Sequence, residues 1–122
     1  MTTIDKFKSL EWHDAALVDM VIDRRKPGEN DIINIMIKWP SGAENTLSFH
    51  DCYSLDARMN FGVIADECIL SADCYIDGEG VTDIKRKWSA VGVELDDLHC
   101  FDFETNSTSS RIKIYALSFT LV

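Results

Sequence analysis

The stretch Ala15–Trp39, AALVDMVIDRRKPGENDIINIMIKW, decides the fold class. From Ala15 to Arg25 the apolar residues recur with period two, placing Val18, Met20 and Ile22 on one face and Asp19 and Asp23 on the other. Successive side chains of a strand point to opposite faces, so this alternation predicts a strand with one buried side. Lys26-Pro27-Gly28-Glu29-Asn30-Asp31 is dense in turn formers, and beyond it Ile33, Ile35, Ile37 and Trp39 alternate with Ile32, Asn34, Met36 and Lys38. Two alternating runs around such a turn predict a β-hairpin.

Working outward, Trp39-Pro40-Ser41-Gly42 turns the chain into a third strand, Asn45 to Asp51, with Leu47 and Phe49 inward and Ser48 and His50 opposite. Cys52 to Asn60 reads as irregular. Phe61–Ala65 and Cys68–Ala72 carry apolar runs short enough for either a strand or a helix; the β-rich context and Gly62 favour strands. Upstream, Thr3 is placed to cap a short helix with Ile4, Phe7 and Leu10 on one face. Downstream, Ile76–Gly80 reads as a turn, and Thr82 or Asp83 as the cap of a helix that carries Ile84, Trp88 and Val91 on one side. Gly92 stands where a left-handed residue would end that helix. Leu98–Glu104 and Arg111–Val122 form a last strand pair around the polar loop Thr105–Ser110. The expectation is a single α+β domain over residues 1–122. It comprises a mainly antiparallel sheet of five or six strands, one packed helix and a short N-terminal helix.

The 122 residues are 46% apolar, enough for one core. The N-terminus, Met1 to Lys6, lacks the basic start and apolar run of a secretory signal, and no stretch approaches the roughly 20 apolar residues of a bilayer span. A cytosolic (cytoplasmic) protein is expected. Cys52, Cys68, Cys74 and Cys100 contain no Cys-x-x-Cys pair and have apolar neighbours, so they read as buried free thiols. Twenty-one acidic against 12 basic residues leave a net charge of −9. That balance argues against nucleic acid, whose binders need a basic stripe, and against an anionic membrane. It favours a basic protein partner, met by fast and salt-sensitive association. The basic clusters Arg24-Arg25-Lys26 and Lys85-Arg86-Lys87 read as solvated surface.

Two aromatic-His-Asp strings, Trp12-His13-Asp14 and Phe49-His50-Asp51, are the places where chemistry could reside. A His-Asp pair invites comparison with the HD metal-dependent phosphohydrolases, but those sites need helices to gather their ligands, and both strings fall at ends of expected strands. The structural alternative has Asp14 accepting backbone N–H groups at a strand entrance while Trp12 covers the end of the core. His50 and Cys52 share a strand face, which would permit a Cys/His pair. No Gly-x-Ser-x-Gly elbow and no phosphate-cradling glycine loop occur. No cofactor and no metal are called for, and no residue is assigned as catalytic. The alternative class is a metal-binding protein or hydrolase built from His13, His50 and His99 with Asp14, Asp51 or Cys100.

Leu10-Glu11-Trp12-His13-Asp14-Ala15-Ala16-Leu17, leading into an alternating strand, resembles the W/F-H-D-A entry of small bacterial domains of unassigned function. Some of these resemble immunity proteins of polymorphic toxin systems. The resemblance implies a small, mainly antiparallel domain that acts by binding, and it carries over no catalytic residue. The expected function is therefore protein–protein binding, of the kind by which an immunity protein inhibits a basic toxin. Candidate contact residues are Trp12, His13, Asp14, His50 and Asp51, together with the acidic Asp96, Asp97, Asp102 and Glu104 around the last hairpin. The Arg111–Val122 strand is expected at a sheet edge, where it could pair with a second copy to form a homodimer.

Overall fold

The runs either side of Pro27 do form the hairpin, and the rest of the sheet is laid on it. A computed structural model of the chain describes residues 2–122. In chain order the elements are α1 (Thr3–Lys8), β1 (Ala16–Asp23), β2 (Ile32–Lys38), β3 (Glu44–Arg58), β4 (Ile69–Tyr75), α2 (Glu79–Ser89), β5 (His99–Thr105) and β6 (Arg111–Leu121). The fold is α+β, with all six strands in one antiparallel sheet of order β1-β2-β3-β6-β5-β4.

The register follows the isoleucines. Ile33, Ile35 and Ile37 are buried, with Ile35 opposite Met20 and Leu47, and Ile33 opposite Ile22 and Phe49. In β1 the register shifts between Leu17 and Asp19, so Leu17 and Met20 both pack on the core while Val18 stands 48% exposed. The extra residue of a bulge reverses the phase of the alternation, which is why Val18 does not point inward as simple period two predicts.

The edges of the sheet are β1 and β4, and they nearly meet. Ala16 bridges Cys68, with Leu17 N–H donating to the Glu67 carbonyl (2.9 Å) and Ile69 N–H to that of Ala15 (2.7 Å). A six-stranded sheet whose opposite edges touch must be curled into a partly closed barrel. The inward-facing residues of every strand then share one core, which includes Leu47, Ile69, Phe101, Phe103, Ile112 and Ile114. Helix α1 closes that core. The Phe7 ring sits with centroids 4.9 to 5.6 Å from Trp12, Phe101, Phe119 and Phe103, and Ile4 and Leu10 pack beside it. The cap of α1 is Thr2, whose hydroxyl accepts the Asp5 N–H (3.1 Å), rather than Thr3.

A second, smaller core lies between the other side of the sheet and α2. Val81, Leu95, Leu98, Cys100 and Tyr115 are buried there, with Ile84, Tyr53, Tyr75 and Leu117 packed against them. The helix begins at Glu79, ahead of Thr82 and Asp83, because Gly78 (φ 100) turns the chain one residue before it. Its buried residue is Val81, whereas Val91 falls beyond the helix and is exposed. Gly80 in the first turn lies against the Tyr115 hydroxyl so closely that any Cβ there would collide with the ring.

Three further sequence expectations are corrected. Cys52–Arg58 is not irregular: β3 continues through it, with Leu55 opposite Ile114 and Ala57 opposite Ile112. Phe61–Ala65 forms no strand, because Asn60 is clamped to the loop before β6 by Ser110 Oγ (2.9 Å) and the Thr108 carbonyl (3.0 Å), and Gly62 (φ 97) then turns the chain. Arg111–Val122 is not an edge strand, since β6 pairs with β3 on one side and, over Arg111–Ala116, with β5 on the other.

Phe7→Ala should lower stability by about 3–5 kcal/mol in a urea melt, the usual cost of deleting a fully buried phenylalanine. Gly80→Ala should also destabilise, although alanine is the better helix former by about 1 kcal/mol, because Tyr115 has to move. A gain in melting temperature for this variant would contradict the packing described.

Candidate functional site

The two aromatic-His-Asp strings do not meet. His13 and Asp14 precede β1 at the end where Ala16 pairs with Lys38, while His50 lies just past the Ile33–Phe49 pair at the other end of β2. At about 3.3 Å per residue the hairpin holds them on the order of 20 Å apart. Both His13 and Asp14 are open to solvent (side chains 98% and 75% exposed), with Nε2 3.5 Å from Oδ2. Asp14 contributes through its backbone, at φ 63 in a turn closed by the Ala15 N–H on the Trp12 carbonyl (3.0 Å). Trp12 is buried, and its indole N–H donates to the Phe7 carbonyl (2.8 Å), tying the string to α1.

The second string lies inside β3 and not at a strand end. His50 Nε2 shares a hydrogen bond with the Thr120 hydroxyl (2.9 Å). Asp51 has φ 54, and the register against β6 shifts between Cys52 and Ser54. Aspartate tolerates the left-handed region better than most residues, so it can hold such an irregularity within a strand.

This irregularity forms one wall of a cleft of about 550 Å³, in the size range of ligand sites. Asp51, Cys52, Tyr53, Ser54 and Leu55 line it consecutively. The end of β1 and the following turn supply Ile22, Asp23, Arg24, Gly28, Glu29 and Asp31, and β2 supplies Ile32 and Ile33. Asp31 organises that turn. Its Oδ2 accepts the Gly28 N–H (3.0 Å), its carbonyl accepts the Cys52 N–H (3.1 Å), and Arg24 Nε lies 3.4 Å from its Oδ1. That Oδ1 is buried without a hydrogen bond.

The third wall is Trp88 and Val93, at the end of α2. Gly92 (φ 87) makes them neighbours: its N–H donates to the Ser89 carbonyl (3.0 Å) and the Val93 N–H to the Trp88 carbonyl (3.0 Å). These are the two bonds of a Schellman stop, which brings the flanking side chains into contact. Gly92 thus ends the helix as its position in the sequence predicts, and the same turn builds this wall of the cleft. Trp88 meets Tyr53 edge to face across the cleft wall (centroids 5.1 Å, 81°).

The other nominated acids are dispersed. Asp96 and Asp97 are exposed on the loop that also carries Val93. Asp102 is buried in β5, where its carboxylate accepts from Tyr75 (3.0 Å) and from Arg111 (3.1 and 3.3 Å). Its hydrogen bond to Arg111 raises the guanidinium pKa, and burial pushes Tyr115 nearby up to about 12. Glu104 faces Arg111 across the strand pair. Of the candidate contact residues, Asp51 alone lines the cleft, beside Cys52 of the possible Cys/His pair. Tyr53, Trp88 and Asp31 were not nominated; the nearest signal was Trp88 standing four residues before Gly92.

The four cysteines are free thiols. Burial pushes Cys52 up to about 11 and Cys74 up to about 12 from an ordinary 9.0. Cys52 Sγ donates to the Phe49 carbonyl (3.2 Å) while His50 is engaged by Thr120, so the two form no thiolate–imidazole pair. Among the described residues, no three His, Cys, Asp or Glu side chains gather into a group able to hold a metal ion. No helix among them is long and apolar enough to cross a membrane. No family model matches the chain, and no curated protein matches it.

Because the fold keeps thiol protons that the unfolded chain releases near pH 9.0, this contribution to stability is complete below that pH. It is lost as pH rises through about 11. Chemical denaturation across this range should show stability falling, with a shallower fall in Cys52→Ala.

Proposed function

We propose that the protein works by binding a basic protein partner at this cleft, in the manner of an immunity-type protein that neutralises a basic toxin of a bacterial system. The observation that carries this reading is the make-up of the cleft. Four carboxylates (Asp23, Glu29, Asp31 and Asp51) against one guanidinium (Arg24) surround an apolar floor of Ile22, Ile32, Leu55 and Val93. Asp23 is engaged by Arg25 (2.6 Å), whose hydrogen bonds hold its carboxyl down at about 2. Among the described residues, Glu29 and Asp51 have no cationic partner within 4.0 Å.

An apolar floor with unpaired carboxylates at its rim suits a surface that is both greasy and cationic, because burying the apolar part supplies affinity while the charges select the partner. The net charge of −9 extends the attraction beyond contact distance and speeds encounter. The acids of the Val93 loop, Glu94, Asp96 and Asp97, add to the same field at that end of the molecule.

The test is co-purification of a partner from the source cells, followed by calorimetry of the pure complex from 50 to 500 mM salt. Affinity should fall steeply with salt, and Glu29→Gln with Asp51→Asn should weaken binding by about tenfold together and flatten the salt slope. A complex indifferent to both salt and the double substitution would show that contact is made elsewhere.

A further inference from the structure

We infer that the cleft is a socket for a single arginine side chain of the basic partner, an inference that rests on the reading above and specifies its chemistry. Three properties of the site select a guanidinium. First, the wall holds the Tyr53–Trp88 pair, and Trp88 remains 39% exposed, so aromatic surface is still open. Cations are attracted to the faces of tyrosine and tryptophan, and the planar, weakly hydrated guanidinium stacks there more readily than the compact ammonium of lysine.

Second, Asp51 is exposed at the rim and has no ion-pair partner among the described residues, and it belongs to the same five-residue stretch as Tyr53. A guanidinium on the aromatic pair can therefore be met by a carboxylate two residues away. Third, the cleft already holds one arginine. Arg24 lies against Asp31 at 3.4 Å without forming a hydrogen bond to Oδ1, and Arg25 engages Asp23, so among the described residues Glu29 and Asp51 are the cleft carboxylates left without a cation. The apolar residues Ile22, Leu55 and Val93 offer a path for the three methylenes of an incoming side chain, which long basic residues pack against while their heads stay polar.

The experiment uses the full chain, labelled with ¹⁵N, and blocked pentapeptides Gly-Ser-X-Ser-Gly in which X is arginine, lysine or the neutral isostere citrulline. The arginine peptide should shift the Trp88 indole N–H and the Asp51–Leu55 amides saturably, leaving the buried Trp12 indole in place. The lysine peptide should bind about fivefold more weakly, as expected when a stacking contact worth about 1 kcal/mol is lost, and the citrulline peptide, which carries no charge for Asp51 or the aromatic faces, more weakly still. Trp88→Ala and, independently, Asp51→Asn should each weaken the arginine peptide by about fivefold. Asp51→Asn keeps the shape of the side chain and so serves if Trp88→Ala perturbs the fold.

Equal shifts with all three peptides, or undiminished binding by Asp51→Asn, would overturn the inference. Trp88 shifts that grow with protein concentration alone would seat a second copy in the cleft and also overturn it. So would free argininamide binding more tightly than the arginine peptide, which would make the site a small-cation pocket. A lysine-rich peptide that binds with strong salt dependence while Trp88 stays unmoved would overturn the socket and leave the basic-partner reading standing. Failure of every cationic peptide to bind would remove both.

Discussion

The packing of Phe7 into the concave side of the sheet is the contact on which the remainder of the structure depends. A single antiparallel sheet with one apolar face cannot be stable alone, and this sheet curls until its edges touch at Ala16 and Cys68. The curl leaves space at one end that neither edge strand can fill. The Phe7 ring fills it, edge-on to Phe101, Phe103 and Phe119, and the Trp12 indole locks the helix in place through the Phe7 carbonyl. Aromatic rings suit this position because they bury a large area while losing few rotatable bonds.

The cleft arises from a different cause, the local failure of regular structure. The left-handed Asp51, the turn organised by Asp31 and the Schellman stop at Gly92 each interrupt a regular element, and the three interruptions face one another. Regular strands and helices satisfy their own backbone groups and present side chains at fixed intervals. Irregular ones aim side chains where a strand or helix would not, which is why Tyr53, Trp88 and Asp31 can line one space. Mounting them on the ends of packed elements gives a cleft whose shape is fixed by the fold itself.

Much of the fold was legible. The alternation of Ile33, Ile35 and Ile37, the turn at Pro27 and Gly28, the Phe7 face of α1 and the glycine ending α2 each express a local rule, and each is realised. The errors cluster where a local rule was overridden. Val18 sits at a bulge, where one extra residue reverses the pattern, and Cys52–Arg58 reads as irregular in sequence because its ladder partner lies more than fifty residues away in β6. The site was less legible than the fold. The His-Asp strings drew the eye, yet Asp14 serves a turn by its backbone and His50 bonds across strands to Thr120.

The sequence by itself determined the α+β class, the antiparallel hairpins, the acidic character and the absence of familiar catalytic motifs, because periodicity, turn chemistry and charge are properties of neighbours along the chain. Tertiary structure alone decided that β6 runs through the middle of the sheet, that the edges meet, and that Asp51, Tyr53 and Trp88 share a cleft. Those outcomes depend on which strands pair across long separations and on where a single inserted residue bends them. Both are settled by the packing of the whole core, which no window of the sequence contains.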